Sequence, residues 1–403
     1  MTTPRLKFDL EKKANEMLDD FPESEFISTT STWCDPEMGG GQIVKEIENR
    51  LREYGHSDEN IKSRVFGYET SDLRINFAKN EHNLAGTYKK GEPNRMKFDN
   101  IMTNSNWASD GGNKDRASGM GGTNIKLWQT ALDLYINDLL KDGGNLGYVC
   151  PGTWCQGKRN PDNITNILND IIKTYDTKTI KTDVKEKCFP KVGHKIITSF
   201  VLNKTKTHTN NVIINDEKIT NFQDWNCIPK DSLSQKILGL KDFSSHEKFD
   251  FQFVRKSFNL EDTRETKSIS HPNKSWLGRN KFKYVSEKTK FDSLPKVVIY
   301  RMGDMYNPNE GFIIDDVGEL TPSYSSVYIL KEKEKAKNVE VLFNLNFYKF
   351  LMNNISTTQY NEASILNLLP KLDLSKTWND EEVYNKFGIS IADRETIDAT
   401  FKK

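Results

Sequence analysis

Cysteine is sparse in this sequence and never paired. The five residues Cys34, Cys150, Cys155, Cys188 and Cys227 form no Cys-x-x-Cys spacing, so zinc-site geometry is excluded. Such sparseness fits a reducing cytoplasm better than a disulfide framework. No window approaches the roughly 18 apolar residues of a membrane span, and no segment resembles a signal peptide. A cytoplasmic setting with no membrane contact is therefore expected. The six histidines are scattered. A lone one such as His194 or His271 reads as a surface or core residue, so no metal site is expected. There is no GxGxxG, no GK[ST] phosphate loop and no PD…(D/E)xK nuclease constellation. The net charge of +1 rules out a globally basic, DNA-coating chain.

What is present is segregated. Residues 151–210 hold 11 Lys/Arg against 5 Asp/Glu, and residues 241–301 hold 14 against 8. Local excess steers polyanions even when the total is near zero, which suggests an anionic partner. At 403 residues, with 22 Phe and 7 Trp, the chain can build more than one core.

The first half alternates short apolar runs with helical patterns, the mark of an α/β sheet. "EKKANEMLDDF" places Ala14, Met17, Leu18 and Phe21 at helical spacing. "FISTTSTWCDP" reads as a strand ending at Asp35, and "GQIVKEIENRLREYG" as a helix with Ile43, Ile47 and Leu51 on one face. Between them lies Asp35-Pro36-Glu37-Met38-Gly39-Gly40-Gly41. A strand-to-helix turn in an open α/β sheet sits at the carboxyl edge, where ligands bind, and glycines let the backbone approach closely. The DPxxGGG spacing argues against a phosphate cradle and leaves a nucleoside or amino-acid moiety; the bland alternative is a generic glycine turn. "RVFGYETSDLRINFAK" gives a second strand ending in Glu69, followed by Thr70. An acid there suits ribose hydroxyls. A surface Glu opening a helix is the plain alternative. Phe98 to Met102 is a short strand, with Thr103-Asn104-Ser105-Asn106-Trp107 emerging from its end. An amide beside an aromatic is what a flat, amino-bearing ring needs. "IKLWQTALDLYINDLLKDGGNLGYVCPGTW" reads as a helix stopped by Gly143-Gly144, then a strand from Leu146 to Cys150. "VKEKCFPKVGHKIITSFVLNK" reads as two further strands.

In this order, "DPEMGGGQ", "GYETSDLRINFA", "FDNIMTNSNW", "GGNLGYVCPGTW", "CFPKVGHKIITSFVLNK" and the tail "PKLDLSKTWNDEEVYNKFGIS" resemble a gamma-class, S-adenosylmethionine-dependent N6-adenine DNA methyltransferase of restriction-modification type. About half of the chain carries the resemblance. It implies a Rossmann-like methyltransferase domain over residues 1–204, with S-adenosyl-L-methionine as cofactor. Asp35, Pro36, Met38 and Gly39 to Gly41 would surround the methionine part. Glu69 and Thr70 would hold the ribose, and Glu81 or Glu92 would face the cofactor adenine. Asn104 would accept from the target amino group, with Ser105, Asn106 and Trp107 completing the catalytic motif and Trp107 stacking on the base. Pro151, Trp154 and Phe200 would line the base pocket. The family's motif is Asn-Pro-Pro-aromatic. Here Ser105 and Asn106 replace two prolines, which would otherwise fix φ near −65°. A looser loop with competing side-chain hydrogen bonds is expected.

Residues 205–340 lose the α/β alternation. "HPNKSWLGRNKFKY" interleaves Lys274, Trp276, Arg279, Lys281 and Lys283 with aromatics, and "KVVIY" and "SSVYIL" read as strands. Such interleaving suits phosphate contacts and base readout, so a β-rich target-recognition domain for double-stranded DNA is expected. A solvated β domain is the bland alternative. Residues 341–403 are expected to be helical, with Asp380-Glu381-Glu382 compensating a helix dipole rather than binding metal. A cognate restriction endonuclease is the implied partner, and nothing in the sequence sets an oligomeric state. Two other functions remain open: cytosine-N4 methylation, and a catalytically weak or inactive DNA-binding protein with the same fold.

Overall fold

The computed structural model describes residues 10–93, 96–105, 127–156, 167–189, 196–209, 211–220, 222–225, 227–254, 267–268, 283–284, 290–291, 294–300, 312–315, 325–330, 335–356 and 363–402. Two compact units divide the chain: Met1–Trp154 with Asp162–Asp224, and Cys155–Pro161 with Trp225–Lys403.

The first unit is organised by nine strands: β1 (Trp33–Asp35), β2 (Val65–Glu69), β3 (Thr87–Lys90), β4 (Phe98–Asn104), β5 (Leu140–Pro151), β6 (Asp176–Lys181), β7 (Ile197–Asn203), β8 (Val212–Ile214) and β9 (Glu217–Ile219). Their order in one sheet is β3-β2-β1-β4-β5-β7-β6-β8-β9. The strands from β3 to β5 pair in parallel, and β7 runs antiparallel between β5 and β6. Strand β1 lies between β2 and β4, so the chain order reverses there. That switch point, at the carboxyl ends of the strands, is where such sheets bind ligands. The unit has the expected α/β, Rossmann-like fold. Strands β8 and β9 carry the same sheet on to Ile219.

Helices α1 (Leu10–Leu18) and α3 (Gln42–Glu53) bury Ala14, Met17, Leu18, Ile43, Ile47 and Leu51 in one core with Trp33. The strand expected from Phe26 is shorter than the sequence suggests. Phe26 and Ile27 close helix α2 (Glu23–Ile27), whose first turn holds Glu23 and Glu25, where acids suit the dipole. Phe26 then stacks on Trp33 with ring centroids 5.0 Å apart. Helix α4 spans Asp58–Arg64, and α5 spans Asp72–His82.

Two further expectations are corrected. Gly143 and Gly144 do not stop a helix. Helix α6 (Leu127–Leu134) winds into a π-type turn at Tyr135–Leu139, and β5 starts at Leu140. Reciprocal backbone bonds between Lys204 and the two glycines hold them at the ladder's end (Gly143 N to Lys204 O 3.0 Å; Lys204 N to Gly144 O 2.8 Å). Among the described residues of "VKEKCFPKVGHKIITSFVLNK" the strand is Ile197–Asn203. Val184–Cys188 is helix α7, which buries Val184 and Cys188 in the core of α1 and α3.

In the second unit, β10 (Gln252–Phe253), β13 (Lys296–Tyr300), β14 (Phe312–Asp315) and β15 (Ser325–Ile329) form an antiparallel sheet ordered β10-β15-β13-β14. A separate pair joins β11 (Lys267–Ser268) to β12 (Lys283–Tyr284). The helices here start before residue 341: Ala336–Asn344 is followed, after a break at Leu345, by Asn346–Ile355. These helices share one hydrophobic core with Phe243, Phe249, Phe251 and Val297.

Candidate functional site

The turn after β1 is held by backbone hydrogen bonds and closed by glycine. Met38 N donates to Tyr68 O (2.9 Å) and Gly41 N to Met38 O (2.8 Å), tying the turn to β2 and closing it. Gly41 is the N-cap of α3 with φ of 84°, a left-handed conformation that favours glycine. A Cβ at Gly41 would lie 2.8 Å from the Ala78 side chain, so α5 crosses at contact distance. His82 on α5 approaches the Gly40 carbonyl through Nε2 at 3.0 Å. A carbonyl only accepts, so that nitrogen carries the proton. No side chain caps α3. Met38 packs with Val44, Ile75 and Tyr88 beneath the turn, and Pro36 is buried.

Asp35 ends β1 and is 1% exposed. Thr103 Oγ1 on β4 donates to its Oδ1 at 2.7 Å, and Glu37 N donates to the same oxygen at 3.1 Å. No described residue donates to Oδ2. Dehydration outweighs those two hydrogen bonds, and the charges of Glu37 and Glu69 add to it, so the carboxyl is pushed up to about 7. Glu37 accepts from Tyr135 Oη at 2.5 Å, which fastens the turn to the segment after α6. Glu69, at the end of β2, is 8% exposed. Its Oε1 accepts from Thr70 Oγ1 (2.9 Å) and Ser71 N (3.1 Å), and Oε2 faces the half-exposed Arg74 guanidinium at 3.5 Å.

Strand β4 runs to Asn104 rather than stopping at Met102, pairing Asn104 with Val149. The Asn104 carboxamide Oδ1 is buried and accepts no hydrogen bond from any described residue. An unfilled buried acceptor costs about 1–3 kcal/mol, so such a group in a strand end marks a place kept for a donor. Ser105 is not loose. It is buried, and its hydroxyl lies 2.6 Å from Tyr148 Oη. Tyr148 Oη donates to Trp128 O at 2.6 Å, so the Ser105 hydroxyl is the donor in the first bond. At Ser105, therefore, the expected competing hydrogen bond pins the chain instead of freeing it.

The fold thus gathers Asp35, Gly39 to Gly41, Glu69 with Thr70, Asn104 and Ser105 at the carboxyl ends of β1, β2 and β4. Pro151 is buried at the end of β5. Trp154 and Phe200, expected to line a base pocket, belong to the core. Antiparallel register sets Phe200 opposite Tyr148, with ring centroids 5.7 Å apart, and the Trp154 ring also lies 5.7 Å from Phe200. Phe200 is 1% exposed, and Trp154 Nε1 donates to Thr198 Oγ1 at 3.0 Å. Glu81 and Glu92 are both exposed. Asn106, Trp107, Lys274, Trp276, Arg279 and Lys281 lie outside the described residues; Lys283 opens β12. Sequence reading missed Thr103, Tyr135, Tyr148 and the Trp128 carbonyl. Tyrosines at the inward register of a strand and the preceding helix were the available signal.

Among the described residues no His/Cys/Asp/Glu group has the makings of a metal site. Asp380-Glu381-Glu382 open helix Asp380–Lys386, where Asn379 and Glu382 form a capping box. No helix among the described residues is long and apolar enough to cross a membrane.

No family model matches the chain, and no curated protein does. Solved structures match at low identity. A type I restriction-modification methyltransferase subunit from Streptococcus thermophilus is 16% identical with a TM-score of 0.35, covering 55% of this chain and 50% of its own. A modification subunit of a putative type I restriction enzyme from Vibrio vulnificus is 15% identical with a TM-score of 0.38, over 52% of this chain and 48% of that one. The type IIG restriction endonuclease BpuSI is 11% identical with a TM-score of 0.44, over 96% of this chain and 61% of that one. The chain thus spans about half the length of the two modification subunits.

Proposed function

We propose that this protein is a site-specific DNA methyltransferase that moves the methyl group of S-adenosyl-L-methionine to adenine N6 in duplex DNA. The observation that carries this reading is the buried, unfilled Asn104 Oδ1, one residue from the Thr103 that bonds the dehydrated Asp35.

The residues present fit such a cofactor. Asp35 keeps Oδ2 open in a dry site, suited to the cofactor's ammonium group. The uncapped start of α3 suits a carboxylate, and Glu69 suits ribose hydroxyls. When bound, the cofactor supplies a methyl already activated on sulfur, so the protein's task is alignment. Asn104 Oδ1 and the Ser105 carbonyl would accept the two hydrogens of the target amino group and turn its lone pair toward the methyl carbon. On methylation the target nitrogen would give up one amino proton to solvent, and the two acceptors would hold it in place while it does so. An amino group inside a duplex is out of reach, so the base is flipped out, with Trp107 as its stacking surface. The basic-aromatic stretch from Lys274 to Lys283 would contact the backbone and base edges. A restriction endonuclease reading the same sequence is the corresponding partner.

The test is transfer of labelled methyl from S-adenosyl-L-methionine to mixed-sequence duplex DNA, digested to nucleosides. Label in N6-methyldeoxyadenosine is expected. Label in N4-methyldeoxycytidine would reassign the target, and cofactor binding without transfer would make the protein a non-catalytic binder.

A further inference from the structure

We propose that Tyr148 is a positioning residue for the methyl acceptor: its hydroxyl fixes Asn104 and Ser105, doing by hydrogen bonding what a proline after the asparagine would do by ring constraint. This rests on the reading of Asn104 and Ser105 given above.

Three observations carry it. Ser105 Oγ–H to Tyr148 Oη (2.6 Å) and Tyr148 Oη–H to Trp128 O (2.6 Å) form one directed relay with no free donor in it. All three groups are dry: Ser105 is 4% exposed, Tyr148 0% and Trp128 1%, so water cannot substitute for a lost member. Burial also drives the Tyr148 hydroxyl well above the usual phenol range, which keeps it a donor throughout the working pH range. The relay joins Ser105, just past β4, to Trp128 in α6, so one hydroxyl holds both. The rings of Tyr135 and Phe200 pack on Tyr148 and set its direction. Tyr148 itself touches neither reactant; it acts through Ser105.

The experiment is steady-state methyl transfer by the full chain, with cofactor affinity measured separately by calorimetry. Tyr148→Phe is expected to lower kcat about 10–100-fold, the cost of a misplaced acceptor, while the cofactor Kd and the KM for DNA stay within about twofold. Ser105→Pro added to Tyr148→Phe is expected to restore kcat to within a few-fold of wild type. If Tyr148→Phe does not fold, Ser105→Ala leaves the Tyr148–Trp128 bond intact and should show the same fall in kcat alone. Unchanged kcat in these variants, or parallel losses in kcat and cofactor affinity, overturns the proposal. Wild-type protein that transfers no label fails earlier, at the functional reading itself, and takes this inference with it.

Discussion

Two acidic stretches, Asp35 to Glu37 at the end of β1 and Asp380 to Glu382 at the start of a helix, are used in opposite ways. Asp380 gives its two oxygens to the Asn346 and Phe347 amides of the neighbouring helix, at 3.1 and 3.0 Å, and Glu382 closes a capping box while pairing with Lys376. Asp35 sits deeper, yet both of its hydrogen bonds fall on one oxygen. Burial raises both aspartates. The difference lies in what is left over: the second cluster is consumed by the fold, and the first keeps an acceptor unfilled in a dry place. Residual hydrogen-bonding capacity, not acidity or burial alone, separates a candidate binding carboxylate from a structural one.

Substitutions can break that contrast. Asn104→Ala removes the unfilled amide acceptor and should lower methyl transfer on the order of 10²–10³-fold, as loss of one preorganised polar group does. Cofactor affinity, read by calorimetry, should hardly move. Asp35→Asn should weaken cofactor binding about 10–100-fold by removing the charge facing an ammonium.

The same variant carries a pH signature. An aspartate raised from 3.8 to about 7 on folding stabilises the folded chain only at low pH, and that contribution is lost as pH rises through about 7. Cofactor-free Asp35→Asn should therefore be more stable than wild type at pH 8, by up to about 4 kcal/mol in denaturant titration. Wild-type affinity for the cofactor should strengthen as pH rises from 5 to about 7 and flatten above it, and the variant should lose that slope. A flat wild-type profile would remove the charge argument.

Asp380→Ala should do the reverse, costing about 1–2 kcal/mol of stability through lost caps while cofactor affinity stays the same. The smallest effect is expected at Lys376→Ala, an exposed ion pair worth about 0–1 kcal/mol.

Much of the first sheet could be read from the chain. Glu69 ends β2 as expected, and Gly55 follows α3 with φ of 85°. The failures share a cause: elements decided by tertiary partners rather than local pattern. Phe26 is helical because Trp33 offers it a stacking face, and Gly143 sits at a strand's start because Lys204 bonds across to it. In the site, Asp35 and Glu69 were legible because each ends a strand, and Asn104 because it follows one closely in the sequence. Tyr148 was not, because its partner Ser105 lies 43 positions away and the bond follows from β4–β5 register. The surroundings of Phe200 were hidden for the same reason: an antiparallel neighbour decides which ring it meets.

The contact between Gly41 and Ala78 has a mechanical meaning. The turn proposed for the amino-acid end of the cofactor and the helix that follows the acid proposed for its ribose meet with one atom's width between them, and His82 bonds the turn from the same helix. Neither can drift alone. A methyl added at residue 41 would wedge both ends of the ligand apart at once, so the span of the pocket is set like the gauge of a caliper, by a hydrogen where a carbon would jam it.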